Sequence, residues 1–271
     1  MADTINTARL LAVAKKAALV AGDQARSMFS GPLDVTSKGL RDVVTDADLA
    51  AQAIITDMIL EAFPDHGFLV EEENPELPSE GPVLWIIDPI DGTTNFSRGF
   101  PLFSVSVAAV RPNSPLTVDD VLAGVVYDPM LGEVFTAMAG GPCLLEGRGL
   151  HGRLLQTSAI DNLQDALIGI DFPYAEKYRR PTMDVVARLG HEINVFRTLG
   201  TATLEMAWVA AGRLDAYIDY QLKPWDVAAA ALMVKQAGGI VSDTSGQPLN
   251  LIEPTLSVLV SNAHLAGVLA D

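Results

Sequence analysis

The segment Asp88-Pro89-Ile90-Asp91-Gly92-Thr93-Thr94 carries two carboxylates three residues apart, followed by a glycine and two hydroxyls. It directly continues the apolar run Val83-Leu84-Trp85-Ile86-Ile87, which reads as a buried strand entered after Gly81-Pro82. Like charges at the mouth of a buried strand repel where the dielectric is low, and a divalent cation removes that cost. Mg²⁺ takes hard oxygen ligands and keeps several waters, so a few carboxylates and one backbone carbonyl suffice. Gly92-Thr93-Thr94-Asn95 adds an unhindered amide and hydroxyls where a strand could hand over to a helix, and backbone N–H groups at such junctions bind phosphate. An Asp-Pro turn followed by an Asp-Gly turn would account for the same residues without chemistry.

Other acidic groups admit the same two readings. Glu71-Glu72-Glu73 follows the apolar Phe68-Leu69-Val70. It is either a solvated loop or a strand end that offers one glutamate as a ligand and leaves the others in solvent. Asp226, in Lys223-Pro224-Trp225-Asp226, opens an apolar helix with Pro224 at its first position; a first-turn aspartate there complements the helix dipole or serves as a ligand. Thr45-Asp46-Ala47-Asp48 fits a capping box, which alone would explain Asp48. Gly200-Thr201-Ala202 reads as a helix entry whose glycine permits the turn.

Positioning these groups requires a layered framework. Leu10, Val13, Ala14, Ala17 and Ala21 have helical spacing within a helix expected from Thr4 to Phe29 and stopped by Gly31-Pro32. A second helix is expected from Asp46 to Phe63 with Ile54, Ile55, Met58, Ile59 and Ala62 inward, so two helices should precede any strong strand. The pattern then shifts to alternation at Phe103, Val105 and Val107, and strand formers fill Val121 to Tyr127 and Glu133 to Met138 around an Asp128–Gly132 turn, which predicts an antiparallel sheet. Beyond Leu163 the expected order is strand (Ala166 to Ile170), helix (Pro181 to Leu189), helix (Thr201 to Gly212), strand (Ala216 to Asp219), helix (Pro224 to Ala237) and short strands at Ile240-Val241 and Val258-Leu259-Val260. These elements imply an α/β (α+β) sandwich in one unit of 271 residues, with a soft division near residue 150 between a sheet-rich half and a more alternating half.

A 49% apolar and 19% charged composition predicts a packed core and not a disordered chain. The net charge of −16 and the lack of a basic run argue against nucleic acid or anionic membranes as partners, and an anionic substrate would need local cations. Cys143 has no partner for an internal disulfide and reads as a small buried residue. Met1-Ala2-Asp3-Thr4 lacks a basic region leading into an apolar run, and no stretch reaches the ~18 apolar residues of a membrane span, so a cytoplasmic location is expected.

Taken together, the segments resemble the inositol monophosphatase family of magnesium-dependent, lithium-sensitive phosphatases. Trp85 through Phe96 matches the family's first signature at every position, Pro224-Trp225-Asp226-Val227-Ala228 with Gly238-Gly239 matches the second, and Gly200-Thr201-Ala202 lies between them. The resemblance implies the α-β-α-β-α sandwich of the inositol monophosphatase and fructose-1,6-bisphosphatase type, usually assembled as a homodimer. It implies two or three Mg²⁺ ions held by Glu71, Asp88, Asp91, Asp226 and the Ile90 carbonyl, with inhibition by Li⁺. Thr93 and Glu71 would orient the attacking water, and Asp48 would touch a looser metal through water. Gly92, Thr93 and Thr94 would cradle the phosphate. Gly200, Thr201, Ala202 and Asp219, with Asp91 and Asp226, would meet the alcohol part of a small phosphorylated polyol or sugar.

The implied reaction is hydrolysis of inositol monophosphate by metal-activated water, with no phosphoenzyme and no histidine or cysteine nucleophile. The alternatives are fructose-1,6-bisphosphatase or related sugar-phosphate phosphatase activity, and a regulatory protein-binding role on the same fold. Three successive glutamates allow two registers, of which Glu71 is favoured, and Asp219 stands where inositol phosphatases often carry the longer glutamate.

Overall fold

The computed structural model describes residues 5–29, 31, 35–39 and 42–270. Met1 to Thr4, and Pro32 of the expected helix stop, lie outside the described residues. In chain order the elements are α1 (Thr7–Met28), β1 (Val35–Gly39), β2 (Asp42–Thr45), α2 (Asp46–Ala62), β3 (Gly67–Val70), β4 (Leu84–Asp91), α3 (Thr93–Ser97), β5 (Ser104–Val110), β6 (Val121–Asp128), β7 (Glu133–Met138), β8 (Cys143–Gly147) and β9 (Leu150–Leu154). They continue with β10 (Leu167–Ile170), α4 (Glu176–Leu189), β11 (Val195–Arg197), α5 (Ala202–Ala210), β12 (Ala216–Leu222), α6 (Pro224–Gln236), β13 (Ile240–Ser242), β14 (Leu256–Ser261) and α7 (Ala266–Leu269).

Strands β3 to β9 form a seven-stranded sheet in sequence order, antiparallel except for the parallel β3–β4 pair. The second sheet runs β11-β10-β12-β14-β13. Helices α1 and α2 pack on each other and on the outer face of the seven-stranded sheet, α5 and α6 lie between the two sheets, and α4 and α7 cover the far face of the second. The architecture is therefore the expected α-β-α-β-α sandwich.

Each helix layer follows from its side chains. Leu10, Ala14, Ala17, Ala18, Ala21 and Ala25 are buried along one face of α1, and the small alanines let it lie close to the sheet. Helices α5 and α6 are apolar nearly all round because both of their faces meet a sheet. A close backbone approach occurs at Gly124 in β6, where a Cβ would lie 2.7 Å from the Ala229 carbonyl oxygen of α6. No side chain fits between that strand and the helix that carries Asp226.

The structure differs from the sequence reading in several elements. The β1–β2 hairpin separates the first two helices, and β8, β9 and β11 are additional strands. Helix α4 begins at Glu176, five residues before Pro181. As the sixth residue of α4 the proline forgoes one intrahelical bond, to the Lys177 carbonyl, and the helix continues through it with Thr182, Val185 and Leu189 buried. In α2, Ile55 and Ile59 are fully buried, whereas Ile54 and Met58 are half-buried at the flank.

Replacing Gly124 by valine is expected to push α6 from the sheet and cost about 1–3 kcal/mol of stability. Urea unfolding would register this as a lower midpoint at unchanged slope, and an unchanged midpoint would show that the contact yields freely.

Candidate active site

Asp88 and Asp91 lie on β4, yet residues three apart on a regular strand point to opposite faces. The pairing of β4 with β5 resolves this. Asp88 opposes Ser106 and Asp91 opposes Ser104, so three residues of β4 span two of its neighbour and the strand bulges between them. Pro89, which has no N–H to give the ladder, sits inside the bulge, and the Ile90 N–H turns back to Asp88 Oδ1 at 3.0 Å. Both carboxylates thus face the same cavity.

Glu71 arrives from the parallel partner. Val70 pairs with Ile87, and the Glu71 N–H donates to the Ile87 carbonyl at 3.2 Å, so the next side chain emerges beside Asp88. Glu71 lines the cavity, whereas the Glu72 backbone is clamped by both ends of the Gln52 amide at 2.6 and 3.1 Å. Glu73 is exposed as expected, but Glu72 is buried and not solvated.

Asp226 enters from the first turn of α6, where its Oδ2 accepts the Lys223 N–H at 2.7 Å. Ser106 Oγ donates to the Trp225 carbonyl at 3.3 Å and ties this helix start to β5.

One oxygen from each of Asp88, Asp91 and Asp226 lies within 4.8 Å of the others. Asp91 Oδ2 accepts from Thr201 Oγ1 at 2.6 Å, from the Thr203 N–H at 2.8 Å and from Thr203 Oγ1 at 2.7 Å. These donors leave Oδ1 to the cluster. Burial, followed by the charges of Glu71, Asp91 and Asp226, pushes the Asp88 carboxyl well above the usual carboxylate range. Asp226 is pushed up by burial and then by Asp91 and Glu71, and Asp91 is raised by burial against the opposing effect of its threonine donors. Such mutual repulsion among oxygen donors fits a hard divalent cation, which would neutralise all of them at once.

Gly92 follows with φ +96°, a left-handed conformation that ends β4 and opens α3. A Cβ there would also lie 3.2 Å from the Gly200 carbonyl oxygen. Asn95 joins the two segments, its Nδ2 donating to the Leu102 and Leu199 carbonyls at 2.9 and 2.7 Å. Thr93 Oγ1 lies 3.1 Å from Asp48 Oδ1 and 3.0 Å from the Ile90 carbonyl oxygen. Asp48 is fully buried and caps α2 through Thr45, and it is placed behind Thr93 and outside the cavity lining.

The cavity has a volume of about 460 Å³, and Glu71, Asp88, Ile90, Asp91, Gly92, Thr93, Thr94 and Asp226 are among the residues that line it. Gly200, Ala202 and Asp219 also line it, whereas the Thr201 side chain is wholly buried against Asp91. Burial and then the charge of Asp171 push the Asp219 carboxyl up to about 7, although the Gln221 N–H donates to it at 2.6 Å. None of the four histidines lines the cavity, and burial pushes the Cys143 thiol up to about 12.

Sequence reasoning missed Asp171. It projects into the cavity from the loop after β10, with Oδ1 accepting the Gly200 N–H at 3.1 Å and Oδ2 the Tyr217 hydroxyl at 3.3 Å. The signal was available, since Asp171 follows the apolar Leu167–Ile170 strand as Asp88 follows its own.

Residues 6–271 match the model of the inositol monophosphatase family. The chain is 39% identical over 240 residues to the Nus factor SuhB of Salmonella typhimurium, covering 88% of this chain and 86% of that protein. It is 37% identical, over the same shares of each chain, to an inositol-1-monophosphatase of Mesorhizobium japonicum. Among solved structures, the extragenic suppressor protein SuhB from Bartonella henselae superposes with a TM-score of 0.87 at 32% identity, covering 97% of both chains.

A carboxyl whose pKa rises on folding holds its proton more tightly in the folded state. It contributes stability that is complete below the ordinary carboxylate range and lost as pH climbs through the raised value. Asp88, Asp91, Asp219 and Asp226 share this sign. With EDTA present, the melting temperature should therefore fall between about pH 5 and about pH 8, and added Mg²⁺ should raise it more at the higher pH, where fewer protons compete. An equal Mg²⁺ shift at both pH values would contradict the assigned cluster.

Proposed function

The chain belongs to the inositol monophosphatase family, and on that premise we propose that it is a magnesium-dependent phosphatase of inositol monophosphate or a similar phosphorylated polyol. The observation that carries this reading is the convergence of Asp88, Asp91 and Asp226, with Glu71 close enough to act on two of them, in a cavity that also holds the start of α3 and further hydrogen-bond acceptors.

Glu71, Asp88, Asp91, Asp226 and the Ile90 carbonyl would hold the Mg²⁺ ions. When bound, these would neutralise phosphate charge and lower the pKa of water. The remaining work falls to the chain. Gly92, Thr93 and Thr94 present backbone amides from the first turn of α3 to phosphate oxygens, and Gly92 lets that turn approach without a side chain in the way. The Thr93 hydroxyl, held between Asp48 and the Ile90 carbonyl, directs its proton toward these acceptors and turns a lone pair to the water that attacks phosphorus. Glu71 receives hydrogen bonds from the same water and takes up its proton. Thr201 keeps Asp91 aimed at the cluster, while Gly200, Ala202 and Asp219 meet the alcohol portion. No group of the protein forms a covalent bond to phosphorus in this scheme: the water oxygen forms the new P–O bond as the ester P–O bond breaks, and the departing alkoxide takes a proton from solvent in the cavity to leave as the alcohol, so the step needs chiefly positioning and charge neutralisation.

The same reading carries inhibition by Li⁺, assembly as a homodimer, a cytoplasmic location and folding as one unit with a soft division near residue 150. Among the described residues no helix is long and apolar enough to cross a membrane. Fructose-1,6-bisphosphatase activity is the enzymatic alternative. The relation to the Nus factor SuhB supports a second reading in which the chain also acts through protein contacts; such a role would survive loss of the carboxylates.

Phosphate release from inositol 1-phosphate, fructose 1,6-bisphosphate, 3′-phosphoadenosine 5′-phosphate and histidinol phosphate, with and without Mg²⁺ and Li⁺, tests the proposal. Fastest Mg²⁺-dependent release from inositol 1-phosphate is expected, and no turnover on any of them would sink it. Asp88→Asn should lower Mg²⁺-dependent turnover by about 10²–10³-fold while the circular dichroism spectrum stays native. Asp219→Ala should change the ranking of substrates more than the Mg²⁺ requirement, and an equal loss on every substrate would contradict its placement.

A further inference from the structure

Asp91 differs from the other aspartates of the cluster in how its carboxylate is held. Asp88 Oδ1 and Asp226 Oδ2 each accept one backbone N–H, from Ile90 at 3.0 Å and from Lys223 at 2.7 Å. Asp91 Oδ2 accepts three donors: the Thr201 hydroxyl at 2.6 Å, the Thr203 hydroxyl at 2.7 Å and the Thr203 N–H at 2.8 Å. A carboxylate oxygen has two lone pairs, so these donors saturate Oδ2 and leave Oδ1 to meet a cation. Thr203 is the second residue of α5, where backbone N–H groups have no intrahelical acceptor, and no side chain of the preceding residue caps them. The carboxylate from β4 serves as that cap.

Ser104 completes the arrangement from the neighbouring strand. It lies across from Asp91 in the β4–β5 pairing, with its Oγ 2.7 Å from Thr203 Oγ1 and 3.3 Å from Thr201 Oγ1; Asp91 Oδ2, at 3.5 Å, is the most distant of its acceptors. Both threonine protons are directed to Asp91, so Ser104 is the donor in the short contact and polarises the Thr203 hydroxyl toward the carboxylate. Ser104, Thr201 and Thr203 are all fully buried, so bulk water cannot stand in for a missing hydroxyl. Ser104 and Thr203 do not line the cavity.

Saturation of Oδ2 makes Asp91 a ligand through a single oxygen. Such ligands suit Mg²⁺, which is small, near-octahedral and retains water, whereas the larger Ca²⁺ gathers about six to eight oxygens and often takes both oxygens of one carboxylate. Resting on the reading of this cluster as a Mg²⁺ site, we infer that the Ser104–Thr203 hydroxyl pair is a positioning device that confines Asp91 to one-oxygen ligation and so favours Mg²⁺ over Ca²⁺. Both residues act through Asp91 and not on the substrate.

Calorimetric titration of the full chain with Mg²⁺ and with Ca²⁺ at one fixed pH tests this without turnover. Thr203→Val keeps the shape and the backbone N–H and removes the hydroxyl. It should weaken Mg²⁺ binding by about tenfold or more and Ca²⁺ binding less, so that the ratio of the two affinities falls by at least about threefold. Competition by protons or a general loss of stability would weaken both ions alike and leave that ratio where it was. Thr203→Ser retains the hydroxyl and should keep the wild-type ratio. Ser104→Ala, the second variant, should lower the ratio by a smaller factor. A ratio unmoved by Thr203→Val and Ser104→Ala overturns the inference, as does a Thr203→Ser protein that behaves like Thr203→Val. Phosphate release from inositol 1-phosphate is measured in parallel. A hydroxyl-dependent ratio without turnover would sink the phosphatase reading alone, and Mg²⁺-dependent turnover with a hydroxyl-independent ratio would sink this inference alone.

Discussion

Four carboxylates drawn together in a largely buried cavity repel each other, and much of the surrounding structure serves to hold them there. Asp88, Asp91 and Asp226 bring oxygens within 4.8 Å, and Glu71 lies close enough to raise the pKa of two of them. In a low-dielectric setting this arrangement persists only if the backbone is over-determined. The constraints come from separate elements. A bulge opposite Ser104 and Ser106 aims Asp88 and Asp91, three threonine donors and the Lys223 amide occupy single oxygens of Asp91 and Asp226, and a parallel strand pair delivers Glu71.

The layered fold follows from the same need. Helix α6 must bring its first turn to the mouth of the seven-stranded sheet, and it does so by lying flat on β6 over Gly124. Its position between two sheets explains why it is apolar on every side and why Asp226 at its start is among the few polar groups it carries. Helix α5 shares that layer and supplies Thr203, which joins the central helices to the strand bearing Asp91. Energy stored in the carboxylate cluster is thus offset by burial in the two cores that flank the seven-stranded sheet.

Residues with strong local signals were legible in the sequence. The apolar run before Asp88, the alanine and leucine spacing of α1, the capping box at Thr45 and Asp48 and the proline start of α6 all act within a turn or a strand, and each was found where expected. The short strands β8, β9 and β11 were not legible, because each has only three to five residues and few or none of its side chains are buried in a regular alternation. Pro181 misled because proline marks a helix start more often than a tolerated interior position. The burial of Glu72 could not be read from its acidity, since it depends on a clamp from Gln52 twenty residues upstream.

The sequence by itself determined which residue types could form a metal and phosphate site and which family they resemble, because the signatures around Asp88 and Asp226 are contiguous and each implies its own strand or helix end. It left open whether Asp88 and Asp91 formed a mere turn, which glutamate of three belonged with them, and what else lined the site. Only the tertiary structure brings Asp88 and Asp91 into one cavity, sets Glu71 and not Glu72 in its lining, and places Asp171 there as well. Face and register depend on the β4 bulge and on the pairing of Val70 with Ile87, and Asp171 joins Asp219 because β10 and β12 lie side by side. These are contacts between residues far apart in the chain, and local propensity carries no record of them.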